Sequence, residues 1–162
     1  MEYGTVEREI HIEATPEVVY EVVSRPEHLR EWWPDEAELD PVVGGTGVIS
    51  FGEPGGSPAH VEQLTVVEAD PPRRFAFRWV YDEGTPPAPG NSLLVTFDLV
   101  PSGEGTLLRF TEVGFRERGW EAAVLEEAYR EHAAGWDHFL PRLVTYVDGL
   151  ARQQSAEPSV QP

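Results

Sequence analysis

Two hydrophobic periods run through this chain, and each predicts a different kind of element. Over residues 121–152, Val124, Leu125, Tyr129, His132, Ala133, Trp136, Leu140, Leu143, Val144 and Val147 recur at three- and four-residue spacing, the interval that stacks side chains along one stripe of a helix. Upstream the period falls to two. Phe75, Phe77, Trp79 and Tyr81 alternate through 74–81, and Leu93, Val95, Phe97 and Leu99 alternate through 92–101, the pattern of antiparallel strands with one buried face. A long helix with a single apolar stripe needs a surface to cover, and a one-sided sheet offers it. Where the sheet curves, a cavity is left between them.

The same reading carries to the N-terminal half. Residues 5–14 alternate, with Val6, Ile10 and Ile12 facing inward and Arg8 on the same side, which predicts a first strand. Thr15 followed by Pro16 is an N-cap with proline at the first helical position, and Val18, Val19, Val22 and Val23 form the buried side of a short helix. Ser24-Arg25-Pro26 repeats that start signal, and a second short helix is predicted through Leu29 to Trp33, ended by Pro34, because a residue before proline is pushed away from helical geometry. Six more strands follow, at 38–42, 47–51, 59–69, 74–81, 92–101 and 105–113, separated by Gly- and Pro-containing connections mostly short enough for hairpins. The stretches 52–56 and 84–90 are expected to be mobile loops. Pro141 falls inside the last helical pattern, so a kink is predicted there, with a break into two helices as the alternative.

Length and composition bound the rest. The 162 residues suffice for one domain, assigned to 1–152, that buries roughly two-thirds of its unfolded surface; the polar, Pro-containing stretch 153–162 is read as a disordered tail. With 29 acidic and 12 basic residues the formal charge is −17, which repels phosphates, so neither nucleic acid nor an anionic membrane is expected as a partner. Every basic residue is Arg, the bias of a GC-rich bacterial genome, and the lack of Lys excludes Schiff-base chemistry and a P-loop. There is no Cys, hence no disulfide, thiol nucleophile or thiolate metal site. The acidic N-terminus lacks an apolar run and no stretch reaches the roughly 20 apolar residues of a membrane span, so the expected location is cytoplasmic. No HExxH, GxSxG, GxGxxG or Walker spacing occurs, and neither metal nor cofactor is expected.

Specific residues narrow the fold. The run Ile10-His11-Ile12-Glu13-Ala14-Thr15-Pro16-Glu17-Val18-Val19-Tyr20 resembles the opening of the START and Bet v 1-like (SRPBCC) superfamily. Four further pieces resemble its branch related to the activator of the heat-shock-protein-90 ATPase: Leu29-Arg30-Glu31-Trp32-Trp33-Pro34; Gly44-Gly45 leading into Ile49 and Phe51; Val67 through Trp79; and Gly135-Trp136 through Phe139-Leu140, Leu143 and Val147. The resemblance covers residues 6–150. It implies an α+β helix-grip fold of order β-α-α-β6-α, in which a seven-stranded curved antiparallel sheet wraps around a long C-terminal helix with a cavity between. It implies function less narrowly, since members bind lipids, hormones and other apolar molecules, some cyclise polyketides, and the namesake of this branch stimulates a chaperone ATPase. One departure stands out: where many relatives carry a His before the Gly-Phe that closes the last strand, this chain has Glu112 ahead of Val113-Gly114-Phe115.

The candidate site residues follow from the predicted faces. Glu112 shares a strand face with Leu108 and Phe110, so its carboxylate points into the cavity as a proton acceptor or ligand anchor, or else it is a strand-end Glu that reaches solvent or an Arg. Tyr129, His132 and Trp136 project from one side of the last helix, either toward a ligand or as a packing stripe, and His138 falls on the opposite face. The Trp32-Trp33 pair is read as the roof of the cavity, with one of the two expected to be plain core and Trp32 taken as the roof residue, and Trp79 is assigned to the floor, with Tyr81 and Phe110 adding apolar wall. The leading expectation is a binder of a small apolar or aromatic molecule rather than an enzyme. A polyketide cyclase or aromatase-like enzyme is the first alternative. A co-chaperone-like interaction module is the second, disfavoured because the namesake carries another domain ahead of this one and only a few residues precede the first strand here.

Overall fold

A computed structural model describes residues 4–52, 60–81 and 84–156. The chain opens with β1 (Thr5–Ile12), followed by helices α1 (Pro16–Ser24) and α2 (Pro26–Trp32). Strands β2 (Glu36–Leu39), β3 (Thr46–Phe51), β4 (His60–Asp70), β5 (Arg74–Trp79), β6 (Leu93–Ser102) and β7 (Gly105–Val113) come next, and α3 (Ala122–Ala156) ends the described chain. All strand pairs are antiparallel, in one seven-stranded sheet of order β1-β7-β6-β5-β4-β3-β2. β1 and β2 are therefore opposite edges. α1 and α2 carry the chain from one edge to the other, and α3 lies over the same apolar face.

Local chemistry sets the element ends. The Thr15 side chain caps α1 by accepting from the Val18 amide at 3.4 Å, and prolines at the first turns of α1 and α2 sit where no intrahelical donor is needed. α2 starts at Pro26, the proline of the repeated start signal, and stops at Trp32 ahead of Pro34. β2 starts two residues earlier than predicted and ends three residues earlier, because Pro41 lacks an amide donor and Val42 and Gly45 bond back to Asp40 and Val42 carbonyls in a turn. That turn leaves Val42 and Val43 exposed. Val80 has φ of 59°, a left-handed conformation that costs a β-branched residue strain, and β5 ends there. The stretch 84–90 runs into a closed set of bonds: the Ala88 amide donates to Asn91 Oδ1 at 2.7 Å, Asn91 Nδ2 to the Pro86 carbonyl at 3.0 Å, and Ser92 Oγ to the Ala88 carbonyl at 2.8 Å. Of the other expected loop, residues 53–56 lie outside the described residues.

α3 continues unbroken through Pro141, which sits on its exposed side, so the alternative of two helices does not hold. It also runs past Arg152 to Ala156; the first residues of the predicted tail are helical, and 157–162 lie outside the described residues. Val124 is exposed and leaves the predicted stripe, while its neighbour Leu125, turned about 100° further round the helix, is buried. Two links pin the helix. Arg8 of β1 donates twice to Asp137, at 2.7 and 3.0 Å, and His28 Nδ1 of α2 lies 2.7 Å from the Tyr146 hydroxyl. Among the described residues no helix is long and apolar enough to cross a membrane.

Candidate functional site

β7 carries Leu108, Phe110 and Glu112 on its inward face, with Arg109 and Thr111 on the other. Register sets Glu112 beside Val95 of β6 and Val6 of β1, in the middle of an apolar sheet face, and its side chain is 0% exposed. A carboxylate so placed costs several kcal/mol unless donors replace the water it has lost. Three do. Trp79 Nε1 donates to Oε2 at 2.7 Å, Trp136 Nε1 to Oε1 at 2.9 Å, and His132 Nδ1 lies 3.0 and 3.1 Å from the two oxygens. The inward reading of Glu112 is the one the fold adopts.

These donors come from separate elements that the chain order does not place together. Trp79 is the last residue of β5, while His132 and Trp136 are one turn apart on α3, so the cluster ties the helix to the sheet. The indoles also form a packed aromatic group. Trp136 stacks at 4.6 Å from Phe110 and 5.1 Å from Trp33, and Trp33 lies 5.2 Å from Trp79. Phe115, fully buried after the Gly114 turn, packs at 5.4 Å on His132 and 5.7 Å on Tyr129. Gly114 has φ of 115°, and a Cβ there would meet the Ser92 carbonyl at 2.8 Å, so glycine is required at this corner.

A cavity of about 180 Å³ opens beside the cluster, lined by Trp33, Phe51, Trp79, His132, Trp136 and Phe139, with Glu131 and Gly135 at its helix side. It lies between the sheet and α3. Of the residues expected to form a site, Trp79, His132 and Trp136 line it, and Glu112 and Phe110 sit behind that lining, Glu112 bonded to all three. The other three are elsewhere. Trp32 is fully buried core: its Nε1 donates to the Val22 carbonyl at 3.0 Å and its ring meets Phe97 edge-on, leaving Trp33 as the tandem member that faces the cavity. Tyr81, past the left-handed Val80, has its hydroxyl 2.6 Å from Thr65 Oγ1, on the sheet face opposite Trp79, because Thr65 pairs with Arg78. Tyr129 lies against Phe115 rather than the cavity. The lining residues that sequence reasoning left out, Phe51 and Phe139, each sit on a predicted periodic element; their ring contact at 5.9 Å is a tertiary fact.

His132 is the polar group the cavity can use. Its Nδ1 is held by Glu112, and among the described residues its Nε2 has no protein hydrogen-bond partner. Burial is the largest single influence on it and works against the charged form. The hydrogen bond and charge of Glu112, helped by Glu62 and Glu131, together outweigh burial, and its pKa is raised above the ordinary value. Because the folded-state pKa is the higher one, the stability this imidazolium contributes is complete below about pH 6.5 and is lost as pH rises through the folded-state pKa. Urea unfolding between pH 5 and 9 should therefore show stability falling as pH rises above about 6.5, a limb that His132→Gln removes. An identical fall in the variant would assign the titration to another group.

A curved antiparallel sheet closed over a long helix, with a buried polar cluster joining the two, defines a helix-grip protein. The chain belongs to the Activator of Hsp90 ATPase homolog 1-like protein family, whose sequence profile matches residues 13–148. Solved structures agree in fold. Protein MLL2253 from Mesorhizobium loti is 25% identical over 89% of this chain and 96% of its own, with a TM-score of 0.69. The Aha1 dimer from Colwellia psychrerythraea, a solution structure, is 22% identical over 88% of this chain and 95% of its own, at 0.67. DynU16, a putative protein in the dynemicin biosynthetic locus, is 22% identical over 90% of this chain and 47% of its own, also at 0.67. No curated protein sequence matches significantly.

Proposed function

We propose that this protein binds a small, flat, largely apolar molecule in the cavity between sheet and α3, without turning it over. The observation that carries this reading is the pairing of an aromatic lining with one available donor: Trp33, Trp79, Trp136, Phe51 and Phe139 around His132 Nε2. Aromatic walls favour a flat body, and the Glu112 bond orients the ring and favours the imidazolium, whose Nε2 offers N–H to a ligand acceptor. Because Glu112 balances the imidazolium, a carbonyl or hydroxyl oxygen suits the site better than a carboxylate. At about 180 Å³ the space is smaller than the roughly 300–1,000 Å³ of drug-sized sites, which points to one or two fused rings.

Native mass spectrometry of the protein purified from its host is the first test, since a defined mass excess over the denatured chain identifies the ligand class. The second is Gly135→Leu. A Cβ at Gly135 meets nothing within 4 Å, and replacing a helical glycine favours the helix by up to about 1 kcal/mol, so this variant should project into the cavity that Gly135 lines without weakening the fold. Binding of 2-naphthol, followed by tryptophan fluorescence, should fall by at least about tenfold, the loss of roughly 1.4 kcal/mol. Undiminished affinity in a folded Gly135→Leu protein would sink the assignment.

A second reading is acid–base catalysis on the same bound molecule. A His held by a buried carboxylate at 3.0 Å is the usual arrangement of a proton-transferring group and its orienting partner, and a cyclisation of the polyketide type needs one. Turnover that follows a single titration and disappears in His132→Gln would replace the binder reading.

A further inference from the structure

A second, larger cavity, of about 600 Å³, lies where α1 faces the turn after β2 and the β4–β5 connection. It shares no lining residue with the aromatic cavity, and its volume falls in the range of small-molecule sites. Three observations set it apart from a plain surface groove. The first is apolar: Val42 and Val43, 51% and 65% exposed, stand beside the rings of Pro71 and Pro72, so adjacent hydrophobic side chains are left facing water.

The second is polar. Tyr20 lines the cavity from α1 and is only 8% exposed, yet its hydroxyl is buried with no hydrogen-bond partner, alone in this among the side-chain atoms of the described residues. Buried polar atoms are nearly always paired, and an unmet hydroxyl beneath a cavity is a place for a ligand donor. The third is charge. Glu17 and Glu21 share the same face of α1 as Tyr20, line the cavity, are exposed, and have no ion-pair partner among the described residues. One cation, Arg25, also lines the cavity and lies 3.9 Å from Glu27, while Arg73 lies 3.2 Å from Asp70. Burial first, then the negative charges of Asp70 and Glu68, push the pKa of Tyr20 up.

We propose that this cavity binds a small organic ammonium ion with an apolar body. The ammonium sits between Glu17, Glu21 and the Tyr20 oxygen, and the body lies on Val42, Val43 and Pro72. A neutral ligand of the same shape leaves the two carboxylates in mutual repulsion, and an anion adds to it, so charge selects the ligand here.

The test is an NMR titration of the isotope-labelled full chain with 2-phenylethylammonium chloride at low salt, where screening is weak, beside neutral 2-phenylethanol and anionic phenylacetate. The ammonium should shift amides within 17–25, 41–45 and 69–73, and bind at least about tenfold more tightly than the alcohol, the worth of one charge-assisted contact. Glu17→Gln combined with Glu21→Gln, both on the surface, should remove that advantage. Tyr20→Phe should weaken binding severalfold without lowering the thermal midpoint of the free protein, since the hydroxyl has no partner to lose. Gly135→Leu should leave this binding unchanged, which keeps the two cavities separable. Equal affinity for the ammonium and the alcohol overturns the proposal. So do shifts confined to the aromatic cavity, or none at millimolar ligand.

Discussion

Glu112→Ala should lower the free energy of unfolding by about 3–5 kcal/mol, the usual cost of breaking a buried charge pair by removing one partner. The carboxylate is fully buried and accepts from Trp79, Trp136 and His132, so its loss strands two indole N–H groups and an imidazolium in an apolar interior. For a domain of this length the thermal midpoint should fall by on the order of 10 °C. Glu112→Gln separates the contributions: the amide oxygen still accepts from one indole, while its NH₂ group faces donors instead of acceptors. Its cost should be substantial but smaller. Thermal and urea unfolding of both variants decide the matter, and a loss below about 1 kcal/mol in Glu112→Ala would mean that water reaches the cluster.

Trp136→Ala should be about as damaging, at roughly 3–5 kcal/mol, for a different reason. The ring is 2% exposed and packs between Phe110 and Trp33, with Trp79 at 5.9 Å. Truncation leaves a void that stiff aromatic neighbours close poorly, and it takes one donor from Glu112. Trp136→Phe keeps most of the volume and loses only the N–H, so it should cost about 1–3 kcal/mol. The gap between the two measures packing against hydrogen bonding. Ligand binding should disappear in Trp136→Ala, because this side chain also lines the cavity. Equal costs for Ala and Phe would make the indole N–H, not the ring, the main contribution of this residue.

Both effects arise in one buried cluster around Glu112. With an acid at position 112 the cluster has one acceptor and three donors, and the His that meets it comes from α3. The acid and the α3 His are thus coupled physically. Replacing one without the other leaves an uncompensated buried group, which is why the double variant Glu112→Leu with His132→Leu should be milder than the sum of its single changes.

Local physics made much of the architecture readable in advance. β7 was delimited at Gly105 and Val113 by its glycine turn and alternation, α1 by Thr15 and Pro16, and the helix stripe of Leu125, Trp136, Leu140, Leu143 and Val147 by its period. Each of these signals lies within a few residues of the element it specifies. The placement of Glu112, His132 and Trp136 on inward faces was legible for the same reason. What the period cannot carry is which inward residues meet. The choice of Trp33 over Trp32 was made by the turn at Pro34 and by Val22 offering Trp32 a carbonyl. Tyr81 was drawn to Thr65 by one left-handed residue, Val80, at which alternation stops. The convergence of Trp79, His132 and Trp136 on Glu112 required strands and a helix from distant parts of the chain to close on one point. Sequence patterning determined the faces, because side-chain direction is a local property of the backbone; only the folded chain decided the partners, because contact is a property of the whole.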